Sequence, residues 1–154
     1  FMNIYDVALR HLGTRSRTVF EMNKYLTEKG FAAEDIQNLI KEYKECGYLN
    51  DLRYCHEYMT YCYKKSKGKK RIVTELKQKG VDPLTIDKGF ETYEEEIDEG
   101  QLAYNEALKI LRTLDLTAGD KIPEKVLGRI GRRLMTLGYS PDLVYNIIGK
   151  LMRG

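Results

Sequence analysis

Lys64, Lys65, Lys67, Lys69, Lys70 and Arg71 put six cations into eight residues. Such a run repels itself unless something acidic lies close, so it marks contact with an acidic or polyanionic partner. The alternative is a solvated helix end, where cations also suit the negative C-terminal dipole. Two smaller basic groups accompany it: Arg15 and Arg17, and Lys125, Arg129, Arg132 and Arg133 on one broad helical face. Just ahead of the cation run stand Tyr54, Tyr58 and Tyr61. Aromatics beside cations can stack bases of a single strand, and the same stripe can serve packing between helical units with its hydroxyls at the rim.

Nothing in the chain assembles into catalytic or metal chemistry. Cys55 and His56 are neighbours on a predicted helix and point roughly 100° apart, so they form no dyad. Cys55 and Cys62 share a face but stand roughly 10 Å apart and cannot bond to each other. Three cysteines argue against a disulfide framework. The two histidines, His11 and His56, make no ligand spacing with those thiols. Glu94 to Glu99 lacks a second ligand set, and no glycine-rich phosphate loop occurs. The expectation is a protein without catalytic residues, metal or cofactor, and not an enzyme.

Charge is zoned. Residues 1–80 carry 16 Lys/Arg against 10 Asp/Glu, residues 81–100 carry 1 against 8, and residues 101–154 carry 9 against 5. Two basic regions flanking an acidic one suit a partner that is itself patterned, such as an acidic protein groove or a nucleic acid. No apolar run approaches the roughly 18 residues that span a bilayer, and no signal-peptide pattern opens the chain, so the expectation is a cytoplasmic protein with no membrane partner. Phe1 ahead of Met2 reads as a remnant or a cut from a longer chain.

The elements that position these residues recur. With Gly30, Gly80 and Gly138 in one column, the positions eight and four earlier are Met22/Ile72/Ile130 and Leu26/Leu76/Leu134. The next position is Phe31/Val81/Tyr139, six after is Ile36/Ile86/Val144, and thirteen after is Tyr43/Tyr93/Leu151. A glycine flanked three times by apolar residues at helical spacing marks a repeated unit of helix, capped turn and helix. Asp82-Pro83 and Ser140-Pro141 add the same helix-start signal in two copies.

In chain order, the spacing predicts a helix over Ile4–Leu12 stopped by Gly13, then Thr18 and Glu21 as a capping box for a helix to Lys29. A third helix runs from Glu34 towards Gly47, and Asn50 or Asp51 caps a fourth to about Lys65, broken at Gly68. Further helices are expected over Ile72–Lys79, Leu84–Glu96, Leu102–Leu114, Val126–Leu137 and Leu143–Leu151. Asp115–Pro123 is the longest loop and the expected most mobile segment. Without strand alternation the fold class is all-α: three tandem three-helix repeats, 1–50, 51–99 and 100–154, in one elongated, curved array. Gly30, Gly80, Gly138, Gly47 and Asp51 are its structural hinges, and the shape favours binding over catalysis.

These residues resemble the RecX family of bacterial regulatory proteins. Ala8-Leu9-Arg10, Arg15-Ser16-Arg17, Glu21-Met22, Tyr25-Leu26 and Lys29-Gly30-Phe31 are similar to the family's first-repeat pattern. Gly47-Tyr48-Leu49-Asn50-Asp51, with Arg53-Tyr54 and Tyr58, resembles its most recognisable signature. Ile72, Glu75-Leu76 and Lys79-Gly80 look like the second-repeat start, and Leu134 with Gly138-Tyr139-Ser140 like the third. The family commonly has Leu at Met22, Asp at Asn50 and Phe-Ala at Tyr54-Cys55; the physical roles are kept. The resemblance implies no enzymatic activity and binding to the RecA recombinase filament on single- or double-stranded DNA. It further implies restraint of recombination and co-protease activity in DNA repair and the SOS response, by a monomer lodged in the filament groove. The alternative is a stand-alone DNA-binding protein of helix-turn-helix-like units.

Overall fold

The structure is a computed structural model and describes residues 2–154; Phe1 lies outside the described residues. Among the described residues there are nine helices and no strand: α1 Ile4–Leu12, α2 Val19–Glu28, α3 Ala33–Glu45, α4 Asp51–Lys64, α5 Lys69–Gln78, α6 Pro83–Thr92, α7 Glu99–Thr113, α8 Glu124–Leu137 and α9 Pro141–Arg153. None is long and apolar enough to cross a membrane.

Local chemistry sets most starts. Thr18 and Glu21 form the full capping box of α2. Asn50 Oδ1 accepts the Arg53 N–H at 3.0 Å, Asp82 accepts that of Thr85 at 3.0 Å, and Ser140 that of Leu143 at 3.2 Å. Each satisfies an amide that the first helical turn leaves without a partner.

The ends are set by left-handed residues. Gly30, Gly80 and Gly138 have φ of +91°, +85° and +100°. The following amide turns back five residues in each case: Phe31 to the Leu26 carbonyl at 3.2 Å, Val81 to Leu76 at 3.1 Å and Tyr139 to Leu134 at 3.2 Å. This closes the helix and points the next apolar side chain at the one it left. Ser66 (φ 60°) and Asp115 (φ 57°) do the same for α4 and α7 without glycine, with Lys67 donating to Cys62 at 3.0 Å and Leu116 to Leu111 at 2.9 Å.

Three expectations are corrected. The break after α4 falls at Ser66, and Gly68 instead stands immediately before α5. Helix α6 ends at Thr92, because Tyr93 turns extended (φ −63°, ψ 125°). Glu94–Glu96 therefore lie between helices, and the acids never oppose a helix C-terminus. Helix α7 begins three residues earlier than expected, at Glu99, because the Asp98 carboxylate caps it. The loop before α8 is pinned: Gly119 N–H donates to the Leu151 carbonyl at 2.8 Å, and Asp120 Oδ2 takes the Thr117 amide at 2.7 Å.

The chain divides into two compact units, Phe1–Tyr58 with Glu75–Tyr93, and Met59–Thr74 with Glu94–Gly154. Met22, Leu26, Ile36, Leu39, Tyr43 and Leu49 fill a core in the first, joined by Ala8 of α1. Ile130, Leu134, Tyr139, Val144, Ile147 and Leu151 do so in the second, against Ala103, Ala107 and Leu111 of α7. Each fully buried aliphatic side chain contributes about 2 kcal/mol by removal from water. The aligned columns are thus core positions, with Phe31 and Tyr93 half-buried where their counterparts are buried.

Candidate partner-binding surfaces

A junction occurs once in each unit, built from the same columns. In the first unit the α2 N-terminus meets the Gly80 hinge: Thr18 Oγ1 donates to the Lys79 carbonyl at 2.7 Å, and Asp51 Oδ1 accepts the Val19 N–H at 3.0 Å. In the second the α5 N-terminus meets the Gly138 hinge. There Gly68 N–H donates to the Leu137 carbonyl at 2.7 Å, and Glu99 Oε1 accepts the Lys69 N–H at 2.5 Å. Asp51 and Glu99 are each the first residue of a helix, following Asn50 and Asp98. Each carboxylate takes up an otherwise unpaired first-turn amide of another helix. A methyl on Gly80 would overlap Phe20, and one on Gly138 would overlap the Arg71 backbone. Both glycines are therefore required twice, for φ and for space. Gly30, with nothing near it, is required for φ alone.

The corresponding residue in α1 is Ile4, which follows Asn3 and offers no acceptor. The amino-terminal helix thus lacks the latch found at Asp51 and Glu99.

The sequence singled out Asp51 as a hinge but did not pair Asp51 or Glu99 with the N-terminus of another helix. Their signal is an acid one residue after an Asx cap, visible only once the helix starts are aligned.

The basic residues sort by these junctions. Lys69 and Lys70 lie exposed in the first turn of α5, and Arg71 is half-buried with Nη1 donating to the Thr136 carbonyl at 3.3 Å. Lys69 and Lys70 line a cleft of about 420 Å³ with Val73, Thr74, Gly138 and Ser140. Lys64 and Lys65 are exposed at the end of α4, and Lys65 and Lys67 hold their ammonium groups 5.8 and 5.6 Å from the Tyr61 ring. Tyr61 itself is 52% exposed. Tyr54 is buried, and Tyr58 donates to Glu75 at 2.5 Å while lying 6.1 Å from Tyr54 in a stack. Of the stripe, Tyr61 is the most exposed member.

Arg15 pairs with Glu21 at 2.9 Å, an ion pair that raises the guanidinium further. Arg17 reaches Thr14 Oγ1 at 2.7 Å and the His11 carbonyl at 3.4 Å, fastening the joint between α1 and α2. Lys125, Arg129, Arg132 and Arg133 are all exposed on α8. Gly47 (φ +85°) turns the chain between α3 and α4, leaving Tyr48 exposed and Leu49 buried. Cys55 is buried, and burial pushes its thiol up to about 11, far from a thiolate nucleophile. Among the described residues no group of three His, Cys, Asp or Glu could hold a metal ion.

Two family models match the chain: the first three-helix domain of RecX over residues 5–42 and the second over residues 50–89. The Regulatory protein RecX of Trichlorobacter lovleyi is 30% identical over 147 residues, covering 95% of this chain and 94% of that one. The chain belongs to the RecX family. The RecX of Clostridium perfringens (strain SM101) is 31% identical over 98% of this chain and 69% of its own length. The chain spans about half the length of the first relatives it matches: the RecX of Legionella pneumophila (strain Corby), 37% identical over 82 residues, is covered over 55% of its length. The crystal structure of RecX from Lactobacillus salivarius superposes with a TM-score of 0.80 at 24% identity, covering 96% of this chain and 94% of that one, and shares its fold. RecX is thus a family of regulatory proteins built of tandem three-helix domains, and this chain has that architecture.

Proposed function

We propose that this protein binds the RecA recombinase filament on DNA and restrains its recombination and co-protease activities, as a monomer in the cytoplasm and without catalysis of its own. The repeats are taken as 1–50, 51–99 and 100–154, with the contact made by the basic groups at Arg15/Arg17, Lys64–Arg71 and Lys125–Arg133.

The observation that carries the reading is the placement of Lys69 and Lys70 in the first turn of α5. A helix N-terminus is the positive end of the dipole, so two cations there work against the helix. The junction takes up their backbone amides, and both side chains lie exposed. An acidic partner surface offsets the positive charge that the helix dipole opposes. The test replaces the six cations of Lys64–Arg71 with Gln, and separately Lys125, Arg129, Arg132 and Arg133, and measures RecA strand exchange and ATP hydrolysis. The wild-type chain inhibits both at stoichiometric excess, and the first set relieves the inhibition. Unchanged RecA activity with wild-type protein overturns the reading.

Direct DNA binding is the second reading, favoured by Tyr61 with Lys65 and Lys67 over its ring. Tight binding to DNA alone with a steep salt slope supports it; weak binding that becomes strong only with filament supports the first.

A further inference from the structure

The two junctions share a framework, so a column in which they differ is free to serve something else. Phe20 and Lys70 occupy that column, ten residues before Gly80's predecessor Gly30 and before Gly80 itself. At the Gly138 hinge the covering atoms belong to Arg71, which shows that the framework does not demand an aromatic ring. Phe20 nevertheless leaves 51% of its surface in water. It stands between two clefts of the first unit, one of about 490 Å³ and one of about 800 Å³, lining both. The larger is walled by Val19, Leu49 and Leu52, with Asp51 and Asp82 as its acids and Lys44 as its cation. Its counterpart in the second unit carries Lys69 and Lys70 against Glu99. The two equivalent grooves therefore differ in sign, one with two acids against one cation, the other with two cations against one acid.

We propose that Phe20 and the groove beside it form a second, apolar contact with the filament protein, seating an apolar side chain that is followed or preceded by a basic one. The ring supplies a rigid apolar face, and the Asp51 and Asp82 carboxylates select for the neighbouring cation. Aromatic rings at the centre of a desolvated contact commonly carry much of its binding energy, whereas rim charges act mainly on encounter and its salt dependence. This inference rests on the proposed RecA reading and adds the kind of surface that the first unit recognises.

The experiment titrates each variant against RecA filament and reads the concentration that halves ATP hydrolysis. Phe20→Ala raises that concentration about tenfold or more, and the factor persists when salt is raised. Phe20→Leu, which keeps the Cβ over Gly80 and some apolar bulk, gives a smaller rise; thermal melting checks that each variant is folded. Asp82→Asn keeps an oxygen for the Thr85 amide of the α6 cap and removes the charge, so its effect on inhibition appears at low salt and fades at high salt. If both Phe20 variants inhibit as well as wild type, the groove is not a contact and this inference falls while the basic-surface reading stands. If Phe20→Ala does not fold, Phe20→Leu alone decides. If the wild-type chain leaves the filament untouched, the functional reading fails, and this one with it.

Discussion

Gly30, Gly80 and Gly138 share a column and a conformation, yet not the same surroundings. Alanine at any of them adopts a left-handed φ at a cost of about 1 kcal/mol. At Gly80 and Gly138 the new methyl must also displace Phe20 or the Arg71 backbone. Gly80→Ala and Gly138→Ala are therefore expected to lower unfolding free energy in urea by clearly more than Gly30→Ala does. Asp51 offers a second comparison at this scale. Asn keeps an oxygen for the Val19 amide, whereas Ala leaves that partly buried amide unpaired. Asp51→Ala is expected to cost about 1 kcal/mol more than Asp51→Asn, read from the same urea midpoints.

Helix α5 joins stability to the proposed function. Its first turn carries Lys69, Lys70 and Arg71 and no acid. Lys70→Glu replaces an unfavourable charge with a favourable one at the positive end of the dipole. It is expected to raise stability by about 0.5 kcal/mol while weakening the proposed filament restraint, a divergence that melting and RecA ATP hydrolysis assays reveal together. The same element shows what sequence can and cannot convey. Its apolar positions and its closing glycine are local signals, spaced within a dozen residues, and were legible. The contacts that fix its N-terminus join Lys69 to Glu99 and Gly68 to Leu137, 30 and 69 residues apart, and arise only when helices dock. Ser66 and Asp115 likewise turn left-handed without the glycine that would announce it, which is why the sequence points to Gly68 for the break. The basic clusters are plain in the sequence; the opposite charge of the two grooves is not, because it depends on which residues line the clefts beside the Gly80 and Gly138 hinges.

Over the whole molecule, pH tests how far the charge pattern supports the fold. Burial pushes the Glu21 carboxyl up, but hydrogen bonds from Arg15 and the Thr18 amide outweigh it and leave it below its usual 4.5. Glu106 follows the same balance, with burial opposed by Lys109, and turn hydrogen bonds from Thr85 and Thr117 hold Asp82 and Asp120 low. Carboxyls depressed in the folded state stabilise it above their unfolded values, and that contribution is lost as pH falls through the folded ones. Asp51 runs the other way: burial raises it, so its protonation favours the folded state and makes the acid limb shallower. His11 adds a step nearer neutrality. Burial, then Arg17 and Arg15, lower it from 6.5, and its ring lies 3.6 Å from that of Tyr25 in a parallel stack. A base lowered on folding stabilises the folded state while neutral, and that stability is lost as pH drops below 6.5 towards the folded value. Urea midpoints followed downward from pH 7.5 should therefore decline first below 6.5 and again below about 4.5. His11→Phe keeps an aromatic ring against Tyr25 but cannot take a proton, so it should flatten the first decline and leave the second. Equal slopes in the two proteins between these limits would show that His11 is not the titrating group, and would place the near-neutral loss of stability elsewhere in the chain.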